Sequence, residues 1–103
     1  MRDHDPGKLQ IYAVEEADSV SATCIVRCVG GVVRAGQRFT VASASEPSDE
    51  RFSIALDWID RYGRRVDYVD PPHNARVHLS GGGIPLLEKG LTIISVEPDL
   101  EGN

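Results

Sequence analysis

Three arginines fall within five residues in the run Arg61-Tyr62-Gly63-Arg64-Arg65, with Trp58 just before it and Tyr68 just after. Arginine and aromatic side chains carry much of the binding energy at interfaces, because a rigid planar group can be desolvated at little entropic cost and still donate or stack. In a chain of sixteen acidic and eleven basic residues, net charge −5, this cluster locally reverses the field offered to an anionic partner. Trp58, Arg61, Tyr62, Arg64 and Arg65 are therefore candidate contact residues. The plainer reading is a solvated basic turn paired with Asp57, Asp60 and Asp67.

The other residues with chemical potential do not assemble into a motif. Cys24 and Cys28 are the only cysteines, and they lie in a β-branched run that reads as strand. Four apart on a strand, they share a face but stand too far apart for a disulfide. Two thiols are also too few for a tetrahedral zinc site, and His4, His73 and His78 have no ligand spacing, so no metal is expected. Both thiols are expected to be reduced and buried. Glu15 and Glu16 are adjacent, so on a strand they face opposite ways and cannot flank one glycosidic bond. No motif sets a Ser or Cys nucleophile beside His73 or His78. Gly81-Gly82-Gly83 lacks the Lys-Ser step and helix start of a phosphate-binding loop, and reads as a flexible turn. The chain is accordingly expected not to be an enzyme and to need no cofactor.

Composition narrows the setting. Apolar residues make up 41% of the 103, enough for one modest core. No apolar run approaches the roughly 18 residues of a membrane span, and Met1 to Gly7 is charged, without a signal-peptide stretch. A cytoplasmic protein is expected. The acidic balance argues against a broad grip on nucleic acid, since neutralising phosphates supplies most of that affinity. One local RNA contact stays open.

Gly and Pro punctuate short apolar segments at close intervals, the pattern of an all-β sandwich or barrel. Strands are predicted at Leu9–Val14, Ser21–Val29, Val32–Val33, Gln37–Ala42, Ala75–Leu79 and Leu91–Val96. Cys24, Val26, Cys28, Phe39, Val77 and Leu79 should point inward. An acidic turn follows the first strand at Glu15–Ser19. Ser43–Glu50 reads as an exposed loop, Arg64–Tyr68 as a polar connection, Asp70–Asn74 as a rigid turn and Ser80–Gly83 as a flexible loop. Phe52–Tyr62 is ambiguous: Phe52, Ile54, Leu56 and Trp58 alternate as a strand would, while Phe52, Ala55, Leu56, Ile59 and Tyr62 fit a helical face. The predicted organisation is a flexible segment over 1–7, one domain over 8–97 and a flexible tail over 98–103.

Three segments resemble, in order and spacing, the second domain of elongation factor Tu and its translational GTPase relatives. They are the stretch from Arg27 through Gly30-Gly31 and Gly36 to Phe39, the strand His73-Asn74-Ala75-Arg76-Val77-His78-Leu79-Ser80-Gly81, and the approach Leu86-Leu87-Glu88-Lys89-Gly90-Leu91. The resemblance runs from about Leu9 to Val96. It implies a small closed antiparallel β-barrel of about six strands, and a strand where Phe52–Ile59 lies. The family's barrel carries no chemistry, GTP hydrolysis belonging to a separate domain whose G-x-x-x-x-G-K-[ST] loop is absent here, so no GTP is expected to bind. In elongation factor Tu the barrel helps receive the aminoacyl end of tRNA. Asn74 falls at the position of an asparagine lining that pocket, which adds it to the candidate binding residues. The matching region Ala13–Ala17 carries acids and no aromatic, and Asn74 also suits a turn after Pro72. The expected role is a binding module that meets a protein partner through its loops. An RNA-contacting accessory factor of translation, on tRNA or the ribosome, is the alternative. A small hydrolase with an unrecognised site is a third reading.

Overall fold

Alternation decides which side chains enter the core, and nearly every predicted inward residue does so. In the computed structural model, which describes residues 6–41 and 52–96, Cys24, Val26, Cys28, Phe39, Val77 and Leu79 are all fully buried. The predicted loop Ser43–Glu50, the residue Ala42, the tail over 98–103 and residues 1–5, with His4, lie outside the described residues.

The strands are β1 (Lys8–Ala17), β2 (Ser21–Gly30), β3 (Val33–Arg34), β4 (Arg38–Val41), β5 (Ile54–Arg61), β6 (Arg64–Val66), β7 (Tyr68–Val69), β8 (Asn74–Ser80) and β9 (Thr92–Val96). A 3-10 turn spans Ile84–Leu86, and there is no α-helix among the described residues. Antiparallel pairing runs β4-β9-β1-β2-β8-β5 and returns to β4, which closes six strands into a barrel. Closure removes the free edges a small sheet would otherwise present. β6 is one extra strand on β5, and β3 pairs with β7 in a separate two-stranded ribbon.

Within Phe52–Tyr62 the residues Ile54–Arg61 are strand, as the resemblance implied, with Phe52 ahead of it and Tyr62 in the turn beyond, and the helical face is not used. The strand's alternation is broken, however. The pairing of β5 with β8 is irregular between Leu56 and Trp58, so Ile59 takes the next interior place and Trp58 stands on the outer surface, half-buried. An extra residue inserted into one strand reverses the facing of everything beyond it. The position in line with Ile54 and Leu56 that alternation gave Trp58 is thus corrected.

Other boundaries also move. β1 continues through the acidic run to Ala17, and the turn itself is Asp18–Val20. There Asp18 Oδ1 accepts the Val20 and Ser21 N–H groups at 2.9 and 2.8 Å, which hold its carboxyl below the usual carboxylate range. The polar connection Arg64–Tyr68 is replaced by β6 and the start of β7. The chain reverses in two residues at Tyr62 and Gly63, whose φ values of 54° and 77° are those of a tight hairpin turn. The loop Ser80–Gly83 is built, not flexible. Gly81 N–H donates to Val20 O at 2.9 Å, Gly83 N–H donates to Ser53 O at 3.2 Å, and Gly83 is buried.

Burial also sets the thiol chemistry. Desolvation, with Glu15 adding a repulsive charge, pushes the Cys24 thiol up to about 11, and burial raises Cys28 as well. Below about pH 9 folded and unfolded chains both keep these thiols protonated. Between about pH 9 and 11 the unfolded chain ionises first, so stability falls as pH rises. Cys24 alone should contribute a loss on the order of 2 kcal/mol across that window. Urea midpoints at pH 8 and pH 10.5 test this: Cys24→Ala should flatten the decline whatever its starting stability. An identical decline in both proteins would assign the effect to other groups.

Candidate functional site

The β5–β6 hairpin and the adjoining strand β8 gather the candidate residues. The irregularity in β5 turns the Trp58 indole outward, where two neighbours hold it. Arg65 on β6 lies with its Cζ 4.3 Å from the indole centroid, and the His78 ring on β8 stacks at 5.6 Å and 17°. β6 and β8 flank β5, so the two contacts come from strands on either side of Trp58. Each neighbour is itself tied down: Arg65 Nε pairs with Asp60 Oδ1 at 2.5 Å, and His78 Nδ1 lies 2.8 Å from Asp57 Oδ2. An ionised carboxylate only accepts, so the Nδ1 of His78 carries the proton of that bond.

Beyond Trp58 the hairpin projects its tip. Tyr62 is 92% exposed and has φ 54° in the left-handed region, where a bulky side chain is strained by roughly 1–2 kcal/mol. Arg61 Cζ lies 5.7 Å from the Tyr62 ring centroid. Its Nε is the one buried side-chain polar atom without a hydrogen-bond partner among the described residues. Arg64 is exposed, and neither Arg61 nor Arg64 has an ion pair among those residues.

A groove of about 350 Å³ separates the tip from β8 and β2, lined by Arg61, Tyr62, Asp60, Asn74, Arg76 and Ile25, with Gly63 and Ala75. Asn74 is the first residue of β8, is exposed, and lines this groove together with Arg61. Arg76 Nε pairs with Glu15 Oε1 at 2.9 Å.

The six predicted residues therefore form two adjoining groups. Trp58 and Arg65 make a held aromatic platform, while Arg61, Tyr62 and Asn74 border the groove, with Arg64 at the tip. Sequence reasoning missed His78 and Arg76. Alternation placed both outward, but nothing in the chain says that β8 lies beside β5.

His78, paired with Asp57, borders a second hollow of about 250 Å³, with Glu16, Asp18, Ser21 and Thr23. Acyl transfer would need a nucleophile in contact with the histidine. Ser21 Oγ instead donates to Asp18, and no hydroxyl or thiol lies within hydrogen-bond reach of His78 among the described residues. His73 pairs with Asp70, Nδ1 to Oδ1 at 3.1 Å, away from His78. No cluster of three His, Cys, Asp or Glu residues suited to a metal ion occurs among the described residues, and none of their helices is long and apolar enough to cross a membrane.

No protein-family model matches the sequence, and no curated protein does. Among solved structures, GDP-bound aIF5B from Aeropyrum pernix, a translational GTPase, superposes with a TM-score of 0.74 at 20% identity. The match covers 90% of this chain and 15% of that one, so the chain spans about 15% of that protein's length. The fold is the closed translation-factor barrel typified by the second domain of elongation factor Tu.

Proposed function

We propose that this chain is a non-catalytic binding module of the cytoplasm, which meets a protein partner through the β5–β6 hairpin and the Trp58 platform. The observation that carries this reading is Tyr62. A tyrosine at positive φ costs stability and, at 92% exposure, gains no burial within its own chain. Asn-Gly would make the same turn without strain. Strain of this kind collects where a contact outside the chain repays it. Arg64 and Arg65 beside it are the residue type most enriched among interface anchors together with Trp and Tyr. No GTP site belongs to this reading, because the sequence has no Walker loop.

An RNA-contacting role in translation is the second reading, favoured by the likeness of the fold to a translation factor's barrel. Fold likeness alone does not fix function, so the site must decide.

Affinity capture from the source cell with three proteins tests the proposal. Tyr62→Asn should melt about 5 °C higher, from relief of roughly 1 kcal/mol of strain, yet lose its partner. The pair Arg64→Ala with Arg65→Ala should melt near the parent, since exposed pairs such as Arg65–Asp60 are worth about 0–1 kcal/mol. It should nonetheless weaken capture by about 2 kcal/mol or more, roughly thirtyfold. Unchanged capture by both variants would reduce the cluster to ordinary solvated charge. Recovery of RNA in place of protein would favour the second reading.

A further inference from the structure

We infer that the groove between the hairpin tip and β8 receives an acidic segment of a protein, with one carboxylate held by Arg61. This rests on the binding-module reading and specifies the chemistry of its partner. The basic residues around the groove differ in what they have left to give. Arg65 is committed to Asp60 and Arg76 to Glu15, whereas Arg61 and Arg64 have no ion pair among the described residues. Arg61 also keeps a buried Nε donor without a partner. A guanidinium presents a planar fork that matches one carboxylate in two parallel bonds. Asn74, in the same lining, supplies an amide that can donate to the same group.

The remaining lining fits a peptide better than a nucleic acid. Ile25, Ala75 and the Tyr62 ring give the groove an apolar component. Asp60 also lines it, and the whole chain carries a net charge of −5. Nucleic-acid affinity grows with the number of phosphates neutralised, and two uncommitted guanidiniums beside an aspartate neutralise few. A single carboxylate within a partly apolar segment needs only the local charge complementarity that Arg61 and Arg64 provide.

The test is an NMR titration of the isotopically labelled chain at about 150 mM salt, where the Debye length is about 8 Å and diffuse attraction is screened. The probes are a short peptide of glutamates flanked by leucines, the same peptide with glutamine for glutamate, and a short single-stranded RNA. The glutamate peptide should shift the amides of residues 61–64 and 74–76 together with the Arg61 Nε–H signal, saturably. The glutamine peptide should bind at least about tenfold more weakly, as loss of a charge-assisted fork implies. RNA should give no saturable shift in the groove. Arg61→Lys keeps the charge and removes the planar guanidinium fork, and should lose most of the affinity. Asn74→Asp, exposed and therefore safe for folding, should lose it by repulsion. Absence of localised shifts, equal binding of the glutamine peptide, or tighter binding of RNA would overturn the inference. If the peptide fails while Tyr62→Asn still releases the captured partner, the acidic-segment inference falls and the binding-module reading stands.

Discussion

Gly83→Ala is expected to destabilise the barrel by about 3 kcal/mol, the upper end of what overpacking usually costs, and to lower the melting temperature by on the order of 15 °C. The reason is close approach, since the backbone at Gly83 has an ordinary φ of −83°. A Cβ there would collide with the Phe52 carbonyl oxygen and stand 2.7 Å from Ile54 Cγ1 and 3.0 Å from the Phe52 carbonyl carbon. Two of these three atoms are backbone, so no rotamer change can relieve them. Gly83 N–H also donates to Ser53 O, so any retreat of the turn breaks a bond that clasps the start of β5. Leu86→Ala is the control, because Leu86 belongs to the same turn and is exposed. It should stay within about 0.5 kcal/mol of the parent. Thermal melts of the two variants separate a built turn from a slack one. Equal, small losses would return Ser80–Gly83 to the status of a flexible loop.

Phe39→Ala should cost about 3–5 kcal/mol, a large share of the roughly 5–15 kcal/mol that holds a domain of this kind together. Phe39 is fully buried and sits on β4, the strand that closes the barrel. The seam there is thin. β4 meets β5 through two residue pairs, Arg38 with Ala55 and Phe39 with Ile54, continued by Gly36 N–H to Leu56 O and Leu56 N–H to Gln37 O, while four residue pairs join it to β9. The aromatic ring therefore fills the core behind the ladder that closes the barrel, and removing it leaves a cavity beside that short ladder. Opening the seam would also expose strand edges that invite association. Guanidinium unfolding, compared with Val96→Ala, an exposed residue of β9 on the other side of β4, gives the measurement. A loss below about 1 kcal/mol for Phe39→Ala would show that β4 is not needed to close the core.

Period-two alternation was legible because it is a local property of an extended chain. Ala22, Cys24, Val26 and Cys28 share a face in any strand that contains them, and water excludes that face whatever it packs against. The same logic identified Ala75, Val77 and Leu79, and the cluster Arg61-Tyr62-Gly63-Arg64-Arg65 stood out by composition alone. Local pattern stopped where pairing between distant segments takes over. Only the register of β5 against β8 expels Trp58 and admits Ile59, and only strand order sets His78 beside that indole. Asn74 and Arg61 are thirteen residues apart, and they share a groove because β8 returns antiparallel to β5. The glycines at 81–83 read as slack in a one-dimensional string, since the backbone they must clear lies thirty residues earlier at Phe52 and Ser53. Which faces are apolar and where charge gathers are local properties of the chain. Closure of the barrel decided which of those residues became neighbours, because hydrogen-bond register is settled jointly by two strands and is written in neither.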